Sequence, residues 1–228
     1  KIQPNYAQAY SSLGLALSKQ QQLEEAVAMF DRAIEIAPEL AEAHCNLADV
    51  LIQQEKIDAA IDACQRAITL KPNLAEAHAN LGVALMRQGQ LDAAIAACQQ
   101  AITLKPNLAE AHCNLGETLF KQDRIEASIL AYQQALSLKP DLGDAHCNLG
   151  VALCEQNRIP EALSHLHTAV NLDPDDAIAH INLGMTQILI GDFENGLSEY
   201  EWRWQHKDIP KINFSQPLWD GSALDGRR

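Results

Sequence analysis

The chain has 228 residues, 47% hydrophobic and 5% aromatic, with a formal net charge of −13 and a pI near 4.9. Such an acidic balance excludes a nucleic-acid partner, because phosphate binding needs a basic face, and it favours solubility or a basic partner. No apolar run of about eighteen residues is present to span a membrane, and no basic-then-apolar leader opens the chain.

Prolines fall at Pro4, Pro38, Pro72, Pro106, Pro140 and Pro174, every 34 residues, and Ala67–His78 (AITLKPNLAEAH) returns unchanged at Ala101–His112. Self-similarity at this period predicts stacked helix-turn-helix units. They span about residues 5–38, 39–72, 73–106, 107–140, 141–174 and 175–207, making one array over 5–207. Residues 208–228 read as an extended tail or the start of a linker to a further domain.

Within each unit, Asn73 with Glu76, Asn107 with Glu110 and Asp141 with Asp144 have capping-box spacing at the start of the first helix. Apolar residues such as Ala77, Leu81, Ala84 and Leu85 keep helical spacing, and Gln88-Gly89-Gln90 marks the turn. The second helix opens on Asp58, Asp92 or Glu126, or on Pro160, and closes on Lys71, Lys105 or Lys139. Acids and proline suit a helix start, and cations suit its end.

These residues resemble the tetratricopeptide repeat (TPR) family. Counting units from Ala7, Ala41, Ala75, Ala109, Gly143 and Ala177, position seven is always leucine, from Leu13 to Leu183. Position eight is Gly14, Ala48, Gly82, Gly116, Gly150 and Gly184; position twenty is Ala26, Ala60, Ala94, Ser128, Ala162 and Gly196. Position twenty-seven is Ala33, Ala67, Ala101, Ala135 and Ala169, then Arg203. The aromatic expected at position four survives only as Tyr10, and the other units carry His44, His78, His112, His146 and His180. The resemblance implies an all-α fold: a right-handed α–α superhelix (a TPR solenoid) of six helix-turn-helix repeats, with an irregular C-terminal tail. Small residues at positions eight, twenty and twenty-seven let helix axes approach closely.

The sixth unit breaks the pattern. Arg203 replaces alanine, Asp208 replaces proline, and Tyr200, Trp202 and Trp204 crowd the last helix, with Trp219 further on. The segments EYEWRW (199–204) and FSQPLWDGSALDGR (214–227) resemble the hinge that precedes a glycosyltransferase-like domain in bacterial TPR proteins. That resemblance implies a catalytic domain beyond Arg228, not within these residues.

No chemistry-bearing constellation is found. The six cysteines follow the repeat, and equivalent sites in stacked repeats lie roughly 10 Å apart, too far for a disulfide. They read as buried free thiols in a reducing compartment, which points to the cytoplasm. His44-Cys45, His112-Cys113 and His146-Cys147 suggest a metal, but neighbouring helical residues point about 100° apart and cannot converge on one ion. The histidines read as core or half-buried packing residues. No nucleophile elbow or glycine-rich phosphate loop occurs, so no enzymatic activity, cofactor or metal is expected within this stretch.

What remains is Asn46, Asn80, Asn114, Asn148 and Asn182 at position six of the first helices. A mid-helix asparagine is a middling helix former, and its amide offers a donor and an acceptor that can hold a peptide backbone. The ladder resembles the asparagine ladder of O-GlcNAc transferases, which implies a concave groove binding an extended peptide, flanked by Asp49, Arg87, Glu117, Lys121, Val151 and Met185. Duplication alone would also copy an idle asparagine, or one bonding its neighbour across the repeat interface. Two functions therefore stand: a protein-interaction scaffold, possible recruiting arm of a protein glycosyltransferase, or a self-assembly module that forms homo-oligomers through Tyr200, Trp202, Trp204 and Trp219.

Overall fold

The computed structural model describes residues 5–205 and turns the 34-residue pattern into paired α-helices. The pairs are α1 (Asn5–Lys19) with α2 (Leu23–Ile36), α3 (Ala41–Gln53) with α4 (Ile57–Leu70), and α5 (Ala75–Arg87) with α6 (Leu91–Leu104). They continue as α7 (Ala109–Lys121) with α8 (Ile125–Leu138), α9 (Gly143–Glu155) with α10 (Ile159–Leu172), and α11 (Ala177–Leu189) with α12 (Phe193–Tyr200). A 3-10 turn, Glu201–Gln205, closes the described part, which contains no strand. The expected tail, 208–228, and Trp219 lie outside the described residues.

The turn inside each pair has one feature that the sequence announces only at its glycines. Gln21, Glu55, Gly89, Asp123, Asn157 and Gly191 occupy the same repeat position, and all adopt φ between 58° and 87°. The next residue's N–H reaches back to the helix, as in Gln22 N to Leu17 O at 3.0 Å and Lys56 N to Leu51 O at 2.9 Å. This left-handed C-terminal cap satisfies carbonyls that the helix leaves orphaned.

The capping boxes do not form. The first helices of repeats two to five are capped by Leu40, Leu74, Leu108 and Leu142, and none makes a side-chain cap bond. An apolar anchor replaces the polar cap: Leu74 packs with Cys45, Ala67 and Ala77, and Leu108 with Ala79, Ala101 and Ala111. That contact holds the helix one residue beyond Asn73 or Asn107, out of capping register. Glu76 and Glu110 instead accept hydrogen bonds from Lys105 (2.7 Å) and Lys139 (3.1 Å), as Glu42 does from Lys71 (2.6 Å). Among the described residues, only Asp176 and Asp192 cap with their side chains.

The chain divides into two compact units between Pro174 and Asp175. In the first, each second helix packs on the next first helix, and successive first helices touch one another: α1 with α3, α3 with α5, α5 with α7, α7 with α9. No contact joins α2 to α4, α4 to α6, α6 to α8 or α8 to α10. The first helices are therefore the closer-spaced, inner row, and their free side is concave. Fully buried Ala26, Ala60, Ala94, Ser128 and Ala162, with Ala33, Ala67, Ala101 and Ala135, set this close packing.

The histidines join the repeats. Nε2 of His44, His78, His112 and His146 lies 2.9–3.0 Å from the carbonyl of Pro38, Pro72, Pro106 and Pro140, six residues earlier. A carbonyl only accepts, so Nε2 carries the proton and donates. At the opposite end of the helices, Gln88, Gln122 and Gln156 donate to Asp58 (2.6 Å), Asp92 (2.7 Å) and Glu126 (2.9 Å) of the preceding repeat.

In the second unit, α12 has eight residues where α10 has fourteen. The Arg203 guanidinium sits 4.7 Å from the Tyr200 ring centre and 4.6 Å from that of Trp204, and Trp202 stacks on His180 at 4.1 Å. A large cation where the other repeats place alanine leaves no room for a close-packed helix. The chain tightens into the 3-10 turn.

Candidate functional site

The asparagine ladder lies on the inner helices, and each rung is half-buried. Asn80 shows how. Its side-chain Nδ2 donates to the Cys45 carbonyl at 3.2 Å and lies 3.7 Å from the Cys45 sulfur, both in the preceding repeat. Asn148 faces the Cys113 thiol of the preceding repeat in the same way and draws its pKa down. Asn80 thus ties neighbouring first helices together, the interface role that duplication could have copied. Asn80 Oδ1 makes no hydrogen bond among the described residues and retains its acceptor capacity. Asn46 and Asn114 hold equivalent half-buried positions on α3 and α7, and Asn182 lies on α11 in the second unit.

The expected flanking residues fall into two groups. Asp49 accepts from Gln53 at 3.0 Å, and the Arg87 guanidinium reaches back to the Ile52 carbonyl at 3.3 Å, so both serve their own surroundings. Glu117, Lys121 and Val151 are brought together with Asn148 around one cavity of about 290 Å³, completed by Phe120 and Tyr132. Lys121 Nζ is 3.9 Å from Glu117 Oε1, a loose ion pair beyond hydrogen-bond length. Met185 is exposed on α11 in the other unit. Tyr200, Trp202 and Trp204 are half-buried within that unit by the contacts with Arg203 and His180, so they offer less free surface than expected.

Tyr132 was not among the expected site residues. It sits at position twenty-four, one turn after Ser128, and is only 1% exposed. Its ring occupies the space over Gly116, where a Cβ would come within 2.6 Å of it. An aromatic at position twenty-four opposite a glycine at position eight was the available signal, present also in Phe30 with Gly14.

Burial, with the Asp144 and Glu117 carboxylates, pushes the Cys113 thiol up to about 12, against the opposing pull of Asn148. Burial, with Glu76, Asp49 and Glu42, does the same to Cys45, also to about 12. All six cysteines are free. No group of three metal-binding side chains is found among the described residues, and no helix there is long and apolar enough to cross a membrane.

Family models for TPR repeats match residues 48–89, 84–123, 117–153 and 150–191, and the tetratricopeptide repeat model matches 7–40. No curated protein matches the chain. Among solved structures, a chain of the APC/C hetero-tetramer Cut9–Hcn1 is similar over 87% of this chain, with TM-score 0.81 and 20% identity; this chain spans 40% of its length. A thermophilic TPR protein of Thermus thermophilus aligns with 80% of this chain and 99% of its own, with TM-score 0.72 and 20% identity. YrrB, a TPR protein with an unusual peptide-binding site, is 25% identical over 75% of this chain and 88% of its own, with TM-score 0.52. With repeat models covering most of its length and TPR folds superposing on it, the chain belongs to the tetratricopeptide repeat family.

Proposed function

We propose that this chain is a protein-interaction scaffold whose inner helix row binds an extended peptide, with Asn46, Asn80, Asn114 and Asn148 gripping the peptide backbone. The observation that carries the reading is the Asn80 amide. Its nitrogen is committed to Cys45, and its oxygen has no hydrogen bond among the described residues. Fixing the amide by one end orients the remaining acceptor without further loss of side-chain freedom on binding. The peptide-binding site of YrrB, a protein of the same family, supports the assignment. In its fuller form the scaffold is the substrate-recruiting arm of a protein glycosyltransferase, the reading that the asparagine ladder and the EYEWRW segment bring with them. Reading the gene past the codon for Arg228 tests that form, and a stop or an unrelated domain there removes it.

The groove itself is tested by panning a random dodecapeptide library on the full chain, then titrating the selected peptides against an Asn80→Ala, Asn114→Ala, Asn148→Ala variant. We expect at least tenfold weaker binding, roughly 1.4 kcal/mol or more. A modest loss of melting temperature follows from removal of the Asn80 bond to the Cys45 carbonyl. Unchanged affinity discards the ladder.

A second reading is favoured by a separate observation. Met185 and Leu189 on α11, and Phe193 and Leu197 on α12, are each spaced by four residues and each more than half exposed. An apolar surface of this kind marks an interaction site, here self-assembly with another copy. Light scattering of the full chain against a Leu189→Glu, Phe193→Glu variant tests it. A dimer lost in the variant supports it, and a monomer in both rejects it.

A further inference from the structure

We infer that the outer face of the array carries two equivalent sites, over His44 and His78, for an aromatic side chain with a donor hydrogen, tyrosine or tryptophan, of a partner protein. They lie on the second-helix side, away from the inner groove, so this reading and the peptide reading can fail separately.

The sites come from the spacing of the second helices. Because α2 does not touch α4, and α4 does not touch α6, each gap leaves the first helix between them open to the outside. Over α3 the gap is a groove of about 480 Å³, walled by Ile34 and Ala63 and floored by His44, Leu47 and Leu51. Over α5 it recurs 34 residues on, at about 600 Å³, with Ile68, Ala97, His78, Leu81 and Leu85 in the corresponding places.

Each floor holds one fixed acceptor. His44 is only 8% exposed, and Nε2 of both histidines is spent on the carbonyls of Pro38 and Pro72, so Nδ1 carries a lone pair. Neither Nδ1 accepts a hydrogen bond among the described residues, and neither is sealed in the core. Repeat five shows where that lone pair points. There His146 makes the same proline bond, and its Nδ1 meets His165 Nδ1 of the facing helix at 2.9 Å. His165 occupies position twenty-three, and Glu199 at the same position of repeat six also reaches the histidine Nδ1. In repeats two and three position twenty-three is Ala63 and Ala97, both in the groove lining. The same vector therefore ends in open groove.

Repeat six also shows what can cover such a histidine. Trp202, at the position that Arg66 and Gln100 hold on the two groove rims, stacks on His180 with ring centres 4.1 Å apart and planes 6° apart. Chemistry narrows the occupant in the open grooves. An aliphatic side chain would cover the leucines but cut Nδ1 off from water with no bond in exchange. A carboxylate has no proton to give, and a serine hydroxyl leaves the apolar walls wet. A cation would find Asp31 and Asp62 at the first groove, but Arg66 stands beside them and the second groove has no acid in its lining. An aromatic ring with an O–H or N–H answers what the two grooves share: the ring lies on the leucines and the donor reaches Nδ1.

The N-acetyl amides of tyrosine, tryptophan and phenylalanine are titrated into the full chain, isotopically labelled at histidine, and the Nδ1 resonances are followed by NMR. Tyrosine and tryptophan should shift His44 and His78, and phenylalanine, which lacks the donor, should bind about three- to tenfold more weakly than tyrosine. Ala63→His and Ala97→His install the side chain that repeat five already accommodates, and each should abolish the response of its own groove alone. His165→Ala opens the groove of repeat five and should add a response at His146. Circular dichroism and melting are recorded for every variant. Equal affinity for phenylalanine and tyrosine overturns the inference, as does the absence of any shift at His44 and His78. Binding that survives Ala63→His and Ala97→His lies elsewhere and overturns it too. Should those two variants fail to fold, His165→Ala decides, and no gain at His146 overturns the sites.

Discussion

Nδ1 of His146 lies 2.9 Å from Nδ1 of His165, on the facing helix of the same repeat. His146 Nε2 donates to Pro140, so His146 Nδ1 holds a lone pair and His165 supplies the bridging proton. Burial, and then the neighbouring His146, hold the His165 imidazole below its ordinary 6.5, with Glu161 partly offsetting them. The folded state therefore binds fewer protons than the unfolded chain just below that value. Its stability is complete above pH 6.5 and falls as the solution is acidified through the depressed folded value.

Melting temperature measured against pH should accordingly decline below about 6.5. His165→Ala restores the residue that Ala63, Ala97 and Ala131 supply at the same position. It should flatten that decline while costing about 1 kcal/mol at neutral pH, for the lost hydrogen bond. Glu42, Glu76, Glu110 and Glu161, all held below 4.5, lose their contribution only at lower pH, so the two windows separate. A slope unaffected by His165→Ala would place the acid sensitivity elsewhere.

The shared left-handed turn position gives a graded prediction. Glu55 and Asp123 hold φ of 59° and 61° with a Cβ present, whereas Gly89 and Gly191 occupy the same place freely. Glu55→Gly and Asp123→Gly should each stabilise by about 0.5–1 kcal/mol in urea unfolding. Asn157→Gly should gain less, because asparagine tolerates this conformation. Equal effects at the three positions, or losses, would show that unfolded-state entropy outweighs the relief.

Most of the fold was legible because the repeat period leaves few topologies open, and the alanines at positions twenty and twenty-seven mark where helices must touch. The capping boxes misled because spacing alone does not say whether Leu74 or Asn73 holds the helix start, and the apolar contact decided it. The histidines read correctly as packing residues, yet their bonds to the prolines were invisible, since six-residue spacing carries no known signature. The asparagine ladder read as groove and interface alternatives, and Asn80 carries the interface bond while keeping an acceptor. Tyr132 went unnoticed for a plain reason: a buried tyrosine opposite a glycine looks like any core aromatic until the cavity beside it is seen.

Position eight predicts opposite outcomes for one substitution. At Gly116 an added Cβ meets the buried Tyr132 ring at 2.6 and 2.7 Å, and that ring has nowhere to go. Gly116→Ala should cost about 1–3 kcal/mol. At Gly82 the new Cβ meets the Cys98 sulfur at 2.5 Å, the end of a short side chain that can rotate. Repeat two already pairs Ala48 with Cys64 at these positions, both fully buried. Gly82→Ala should therefore be near neutral, with helix propensity offsetting the adjustment by up to about 1 kcal/mol. Equal losses in thermal unfolding would mean that backbone approach, not the partner side chain, sets the need for glycine.

Thiol labelling tests the packing of the inner row directly. Cys45, Cys64, Cys98, Cys113 and Cys147 are buried, while Cys154 is half-exposed. Burial also raises the thiols of Cys45, Cys98 and Cys113 to about 12, and nearby carboxylates push in the same direction. The thiolate is the reactive form, so low access and a scarce thiolate act together. Near pH 8, a disulfide-exchange reagent should modify Cys154 first in the folded chain. The other five should react at the rate of local or global opening, and urea should bring all six to the same rate. Fast native labelling of Cys45 or Cys113 would mean that the first helices separate readily. The Asn80 rung would then be too weak to hold the groove in shape for a ligand.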